Sequence, residues 1–254
     1  MNIISVVSTN RQLQLLALSI LICCATPAKA KTATPIAESS TRNQQQVGYD
    51  YWGFKEGAPD QVSALARTND GYLWIGSSTG LFRFDGQRFE RYRSPLGAEL
   101  VSTNISGLFA PPSGGLWIGY RFGGFSFLKD GRLTNYAASS GTVLELTQGE
   151  DGVVWANTTS GIWRFEYSEW KHLGAESGAL KDGQFIAFDR AGYLWAKSDT
   201  TIVYLAPGAK RFEVAEQNVK TAGYQHTAGF IYDADGFVVT SKSWRPRSAI
   251  RGSR

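Results

Sequence analysis

The sequence is poor in the residues that build most metal and redox sites. It contains two cysteines, Cys23 and Cys24, which are adjacent near the N-terminus, and two histidines, His172 and His226, which are far apart. Structural and catalytic zinc sites need three or four suitably spaced Cys, His or acidic ligands, and this spacing does not supply them. We therefore predict no metal site, no cofactor and no catalytic residue.

The sequence also lacks a hydrophobic run long enough to be a comfortable membrane span. Its one apolar run, Leu15–Ala25, follows Arg11 and precedes Ala28-Lys29-Ala30, which has the small residues that a signal peptidase reads. About 20 apolar residues are needed to cross a bilayer. We predict that residues 1–30 are a cleaved export signal. Residues 31–47, rich in Ser, Thr, Gln and Pro, are predicted to be a flexible linker.

Basic charge is scarce outside the C-terminal end of the chain. The formal net charge is +4, and residues 242–254 contain five basic residues and no acidic one. Without this tail the remaining chain carries a charge of 4 − 5 = −1. A nucleic-acid-binding domain is expected to carry a basic patch on its folded body. We predict no nucleic-acid partner and an irregular basic tail at 242–254.

Aromatic residues are abundant and recur at regular intervals. The segment Gly71–Phe84 reads GYLWIGSSTGLFRF, and related segments follow at steps of 43, 38 and 40 residues between their tryptophans. A weaker fifth copy has an aromatic residue, Phe237, 42 residues after the last tryptophan. Periods of about 40 to 50 residues with short strands are typical of β-propeller blades. The sequence predicts an all-β fold, a β-propeller of four-stranded antiparallel blades. The four tryptophans are Trp74, Trp117, Trp155 and Trp195.

The repeats occupy residues 48–241, which corresponds to about four and a half blades. The fifth copy has no Gly-Leu strand and no outer aromatic residue after Thr240. A ring of seven blades would need roughly 280 residues. We therefore expect an incomplete seven-bladed ring encoded by a truncated or frameshifted gene. Tyr49–Phe54 is the candidate for a strand that completes the last blade, because ring closure hides sheet edges.

Blade 1 resembles a known repeat. Residues 57–92 read GAPDQVSALARTNDGYLWIGSSTGLFRFDGQRFERY, similar to the two-component regulator propeller repeat with its D-x-x-G-x-L/I-W-I-G-T centre and G-L-x-R-F/Y-D-G-x-x-F exit. The chain departs from that pattern at Ala58, where the family has leucine, and at Ser77, where it has threonine. The resemblance extends over about residues 50–240 and is most specific in blade 1.

The resemblance implies a sensor. Proteins of this family are typically exported sensor regions of membrane histidine kinases, hybrid sensors or diguanylate cyclases, located in the periplasm and followed by a membrane helix and an output domain. Carbohydrate is the best-known class of cue. This chain has no kinase or cyclase motif. We therefore expect a non-enzymatic, periplasmic signal-binding region that would reach the membrane only through C-terminal parts absent from this sequence.

The site prediction follows from the topology of a propeller. In each blade the Asp-Gly turns would lie on one face, and the loops between the second and third strands would lie on the other. Recognition residues usually lie in loops held by a rigid scaffold. The repeated tryptophans are interpreted as packing residues, and the Asp-Gly turns as hairpin turns rather than calcium sites. The predicted ligand-binding residues on the loop face are Tyr120, Arg121, Asn157, Lys197 and Asp199.

Two alternative functions remain open at this stage. One is a free-standing secreted propeller enzyme, such as a polysaccharide or lactone lyase. The other is a protein-interaction scaffold without a small ligand. The expected partners are accordingly a small-molecule or oligosaccharide signal, or protein partners including a second copy of the chain.

Overall fold

The computed structural model describes residues 51–136 and 141–217, together with the backbone of three short strands at 231–232, 238–240 and 243–245. All of these strands belong to one compact unit, Gly53–Arg254. Within the described residues the only helices are two 3-10 turns, Phe54–Glu56 and Ala175–Ser177. The prediction of an all-β propeller is confirmed.

Four sheets contain four strands each, and every sheet is an antiparallel meander in chain order. Short strands joined by tight turns follow from the alternating apolar residues of each repeat and from its glycine-containing turns, which are Asp-Gly dipeptides in several hairpins of blades 1 to 3. Blade 1 contains β1 (Val62–Arg67), β2 (Leu73–Ser77), β3 (Gly80–Phe84) and β4 (Phe89–Arg91). Blade 2 contains β5 (Ile105–Phe109), β6 (Leu116–Tyr120), β7 (Phe125–Lys129) and β8 (Arg132–Tyr136). Blade 3 contains β9 (Val143–Gln148), β10 (Val154–Thr158), β11 (Gly161–Glu166) and β12 (Glu169–His172). Blade 4 contains β13 (Phe185–Phe188), β14 (Leu194–Lys197), β15 (Thr201–Leu205) and β16 (Glu213–Gln217).

The fifth sheet is more complete than the sequence predicts. It contains β17 (Ile231–Tyr232), β18 (Val238–Thr240) and β19 (Ser243–Arg245), paired antiparallel in that order. The prediction of an irregular tail is wrong for residues 243–245, because the backbone there pairs with β18 although the Gly-Leu signature is absent. The rest of the predicted tail lies outside the described residues.

The proposed closing strand is not observed where the structure describes it. Residues 51–53 form no strand, and Phe54–Glu56 is a 3-10 turn that ends at Gly57 with φ of 85°. Glu56 accepts a hydrogen bond from the backbone N–H of Gly53 at 2.7 Å and so stabilises this turn. The strand prediction is therefore wrong for residues 51–54, and Tyr49 and Asp50 lie outside the described residues.

Neighbouring blades pack through their first strands. β1 contacts β5, β5 contacts β9, and β9 contacts β13, so the first strands of the four blades follow one another around a shared axis. Ser63 lies at a register shift in β1 and donates a hydrogen bond to the carbonyl oxygen of Ile105 at 2.5 Å. Ser106 repeats this contact to the carbonyl oxygen of Val143 at 2.7 Å.

The repeated tryptophans form the core between blades. Trp74, Trp117, Trp155 and Trp195 are 7%, 4%, 4% and 1% exposed. Trp74 packs with Ile105 and Leu116 of blade 2, and Trp155 packs with Ile186 and Leu194 of blade 4. Trp74 and Trp155 therefore each bury apolar surface contributed by the following blade, which stabilises the stacked arrangement.

We predict that removing a serine hydroxyl at a blade junction weakens the protein measurably. Ser63→Ala and Ser106→Ala should each lower the free energy of unfolding by about 1 kcal/mol, because each leaves a carbonyl oxygen of the next blade without its donor. Urea denaturation of the full chain measures this change. Ser113→Ala, at an exposed turn, is the matched control and should change the stability very little. Equal stability of all three variants would contradict the prediction.

Candidate ligand-binding site

The loop between β6 and β7 presents the most exposed predicted residue of blade 2. Arg121 and Phe122 both lie at the surface, and the Phe122 side chain is 77% exposed. The backbone N–H of Arg121 donates to the carbonyl oxygen of Asn104 at 3.0 Å, and its own carbonyl oxygen accepts from the Thr142 hydroxyl at 2.7 Å. The loop therefore holds a guanidinium group and a phenyl ring on a backbone fixed at both sides.

Tyr120 does not lie on the loop surface as the sequence predicted. Its side chain is fully buried, and its hydroxyl hydrogen-bonds with Ser126 at 2.7 Å. Ser126 in turn donates to the side chain of Asn135 at 2.7 Å. Burial raises the pKa of the Tyr120 hydroxyl. The residue therefore anchors the start of the loop from inside blade 2.

The second residue after the blade tryptophan is termed the junction position, and in blades 1 to 3 it faces the following blade. Blades 1 and 2 have Gly76 and Gly119 there, and a β-carbon at either glycine would collide with the first strand of the next blade. Blades 3 and 4 have Asn157 and Lys197 instead. Both polar side chains are buried, at 0% and 1% exposure. The predicted surface location is thus wrong for these two residues, because β10 and β14 extend through them.

Asn157 occupies space that a glycine leaves free in blade 4. A β-carbon added to Gly183 would lie 3.1 Å from Cγ of Asn157 and still closer to its Oδ1. Neither polar atom of the Asn157 side chain finds a hydrogen-bond partner among the described residues. A buried, unsatisfied polar group destabilises a protein by about 1–3 kcal/mol, so this amide is an energetically costly feature of the junction between blades 3 and 4.

Glu145 adds a carboxyl group to the same junction. It is the direct cross-strand neighbour of Asn157, and its Oε2 accepts from the backbone N–H of Ile186 in blade 4 at 3.3 Å. Burial raises the pKa of Glu145 to about 7, although the hydrogen bond from Ile186 opposes the shift. The position ten residues before the tryptophan is Ala64, Gly107 or Phe185 in the other blades. Alignment of the four copies would have revealed this acidic residue.

Lys197 and Asp199 lie at the end of β14 and in the loop that follows it. Burial lowers the pKa of Lys197, and the negative charge of Asp199 opposes that shift. Asp199 is exposed and accepts a hydrogen bond from the side chain of Gln184 at 2.5 Å. Three of the five predicted residues, Asn157, Lys197 and Asp199, thus belong to blades 3 and 4, and the other two belong to blade 2.

The structure also has two clefts on the opposite face, which carries the turns between first and second strands. The blade 1–2 cleft has a volume of about 520 Å³ and includes Trp74, and the blade 3–4 cleft has about 630 Å³ and includes Trp155. They occupy equivalent positions in the repeat. The sequence argument for a ligand site considered only the loop face, because clefts between blades depend on side-chain packing.

Residues 76–80 read Gly-Ser-Ser-Thr-Gly, which fits the G-x-S-x-G pattern of a nucleophile elbow. In an α/β-hydrolase that pattern joins a strand to a helix. Here Ser78, the central serine of the pattern, lies in a hairpin loop between the antiparallel strands β2 and β3, and the neighbouring Ser77 hydroxyl donates to the carbonyl oxygen of Gly80 at 3.0 Å to close that loop. The segment is a hairpin loop and gives no support for a serine nucleophile.

Among the described residues, no group of three or more His, Cys, Asp or Glu side chains is arranged to hold a metal ion. Within the same residues, no helix has the length and apolar character that crossing a bilayer requires. His172 is exposed in β12, and its Nε2 hydrogen-bonds with the carbonyl oxygen of Ser160 at 2.9 Å. His226 lies outside the described residues.

Comparison with known families gives one match, and it lies in blade 1. Residues 56–79 match the family described as two component regulator propeller. No curated protein matches the sequence. The matched segment contains β1 and β2 together with the loop that follows them. It therefore covers the first half of the blade whose sequence is most specific for this repeat.

Solved structures similar to this chain include two extracellular domains and a lyase. The extracellular domain of BT3049 from B. thetaiotaomicron, described as a hybrid two component system, matches with a TM-score of 0.59 and 19% identity over 70% of this chain and 26% of its own. The extracellular domain of BT4673 from the same organism, described as a one component system, has a TM-score of 0.60 and 15% identity over 75% and 27%. Virginiamycin B lyase from Staphylococcus aureus has a TM-score of 0.59 and 17% identity over 76% and 67%.

These likenesses show a shared propeller fold. The chain spans about a quarter of the two extracellular domains and about two thirds of the lyase. Because propellers host many unrelated functions, the functional conclusion has to come from the repeat family and from the site.

Proposed function

From the two component regulator propeller repeat that the chain carries in blade 1, we propose that it is the signal-binding propeller of a two-component-type regulator, exported to the periplasm. The match over residues 56–79 is the observation that carries this proposal. The predicted export signal at residues 1–30 supports the location. The proposed role is recognition, and a catalytic output would belong to other domains of a full-length regulator.

The loop face supplies the chemistry for recognition. Arg121 and Phe122 stand at the surface on a loop held by backbone hydrogen bonds, so little backbone conformational entropy is lost when they contact a ligand. An aromatic ring can pack on the apolar face of a sugar, and a guanidinium group can bind its carboxylate or hydroxyl oxygens. Asp199 in blade 4 adds an exposed acceptor on the same face. These groups suit a carbohydrate cue, including an acidic one.

We predict that the loop-face residues control binding of an oligosaccharide. The full chain is titrated by calorimetry with neutral malto-oligosaccharides and acidic oligogalacturonides. In the double variant Arg121→Ala and Asp199→Ala, the affinity for whichever oligosaccharide the unmodified chain binds should fall about tenfold or more, because two hydrogen-bonding charged groups are lost. Lys197 is left intact, since its burial would confuse binding with folding.

The control carries the same change of charge on the turn face. Asp130→Asn with Arg132→Ala removes one acid and one base from the β7–β8 hairpin, and asparagine tolerates the positive φ of residue 130. This variant should bind as the unmodified chain does. Unchanged affinity of the loop-face variant would refute the site, and conversion of the oligosaccharide to products would favour the secreted enzyme instead.

A further inference from the structure

Arg91, the last residue of β4, holds its guanidinium group on the loop face of blade 1. The group lies against Gly80 at the start of β3, where an added β-carbon would meet Nε of Arg91 at 3.2 Å. One terminal nitrogen, Nη2, donates to the carbonyl oxygen of Thr79 at 2.6 Å. Arg91 is nevertheless exposed, and its other terminal nitrogen, Nη1, has no hydrogen-bond partner among the described residues. The guanidinium group is therefore fixed in place with one nitrogen unused.

A cleft of about 400 Å³ opens beside this group. Sites for small molecules are typically clefts of about 300–1,000 Å³. Arg91 and Arg93 give the cleft two positive charges against one negative charge from Glu99, and all three residues are exposed. In the part of the chain that the structure describes, neither arginine forms an ion pair. This loop-face cleft is lined by Gly80, Leu81, Arg91, Arg93, Leu100 and Thr103, among others.

The loop-face cleft adjoins the loop that carries Arg121 and Phe122. Thr103 lines the cleft, and the next residue, Asn104, accepts a hydrogen bond from the backbone N–H of Arg121 at 3.0 Å. A ligand that contacts Arg121 and Phe122 can therefore extend into the cleft without leaving the loop face.

Blade 3 has the same arrangement with a different side chain. His172 occupies the position of Arg91, and its Nε2 hydrogen-bonds with the carbonyl oxygen of Ser160 and lies 2.7 Å from where a β-carbon of Gly161 would be. The contact between the outer strand and the loop before the third strand is thus common to both blades and serves the fold. The permanent charge and the second terminal nitrogen are specific to Arg91.

We propose that the loop-face cleft binds an acid group of the signal, with a sugar carboxylate accepting from Nη1 of Arg91. The inference rests on the proposed recognition role of the loop face, and it narrows the signal to an acidic oligosaccharide. One sugar unit contacts Arg121 and Phe122, and another reaches Arg91. Arginine suits this role because its guanidinium group stays charged and forms strong hydrogen bonds to carboxylates.

The side-chain Nε–H signal of Arg91 gives a direct test. The full chain, labelled with ¹⁵N-arginine, is titrated with millimolar galacturonate at pH 6 and constant ionic strength, and the signal is assigned from Arg91→His. Saturable movement of the Arg91 signal is expected. The uncharged methyl ester of galacturonate should leave the signal almost unchanged. An unmoved signal, or equal movement with the ester, overturns the proposal.

Matched histidine variants connect the cleft to the longer ligand. Arg91→His keeps a donor for Thr79, as His172 does for Ser160, but is largely uncharged at pH 8. Calorimetry at pH 8 should show its affinity for trigalacturonate reduced about tenfold or more, because a charged hydrogen bond is lost. Arg88→His, in the exposed β3–β4 hairpin on the turn face, should bind as the unmodified chain does. Equal stability of both variants in urea excludes unfolding as the cause.

The outcomes separate this proposal from the proposed function. Unchanged affinity of Arg91→His for trigalacturonate, or equally tight binding of neutral maltotriose by the unmodified chain, overturns the acid-binding cleft. Either result is compatible with loss of binding in the Arg121→Ala and Asp199→Ala double variant, which would still support the proposed function. Movement of the Arg91 signal with an unaffected double variant would instead support the cleft and refute the site of the proposed function.

Discussion

Replacing Gly119 by alanine is expected to destabilise the protein by about 3 kcal/mol or more. A β-carbon at this position would lie 2.6 Å from Cβ of Val143 in the next blade and closer still to its Cγ1. Rotation of the valine side chain cannot relieve the contact with Cβ, because that atom is fixed to the backbone. The first strand of blade 3 would have to move away from blade 2 as a whole.

Thermal and urea unfolding of four variants tests this expectation. Gly107→Ala is the matched control, since its added β-carbon would meet the same Val143 at an ordinary distance of 3.4 Å. It should change the stability by less than about 1 kcal/mol. Val143→Gly should be destabilising alone, yet the double variant Gly119→Ala with Val143→Gly should be more stable than the sum of the single changes predicts. Additive effects would refute the clash.

The second large effect concerns pH. The pKa of Glu145 is raised by burial from 4.5 to about 7, so the folded protein holds this proton more tightly than the unfolded chain does. The buried carboxyl group is therefore tolerated best when it is protonated at low pH. The free energy of unfolding falls as pH rises from about 4.5 to about 7. The loss is on the order of 1–3 kcal/mol, after allowance for partial access of water to the carboxyl group.

Glu145→Gln isolates this contribution. The glutamine resembles the protonated acid, so the variant should be about as stable as the unmodified chain at pH 5 and more stable at pH 8. Denaturation at the two pH values measures the difference. Glu150→Gln removes an exposed carboxylate nearby in the sequence and should keep the original pH dependence. If the Glu145→Gln variant also keeps the original pH dependence of stability, the buried carboxyl group of Glu145 is not the source of that dependence.

Strand positions were predictable because the repeat encodes them locally. The tryptophan spacing located all four complete blades, and the Asp-Gly turns located the hairpins within a residue or two. Prediction from the sequence failed where a strand lacks the residues that mark strands in the other repeats, and where such residues occur without a strand. Ser243–Arg245 pairs with β18 despite lacking the usual Gly-Leu pair, and residues 51–54 are aromatic without forming a strand.

The candidate site was harder to predict because burial at a strand end depends on the neighbouring blade. Arg121 and Asp199 are exposed, as a loop assignment implies. Asn157 is buried because Gly183 in blade 4 leaves room for it, and a single-blade pattern does not contain that information. Among the described residues the indole N–H of Trp155 has no acceptor, because blade 3 has Gly149 where blade 4 has Asp189, and this difference is apparent only when the copies are aligned.

The glycine and asparagine at the junction position also restrict how the repeats can be rearranged. Gly119 is matched to Val143, and Asn157 is matched to Gly183. A chimaera in which blade 4 directly succeeds blade 2 would set glycine against glycine and leave a void, whereas a duplicated blade 3 would drive Asn157 into Val143. Blades that share the tryptophan motif are therefore not interchangeable. The residues at each junction fit only the blade that follows, and this restricts the order of the blades.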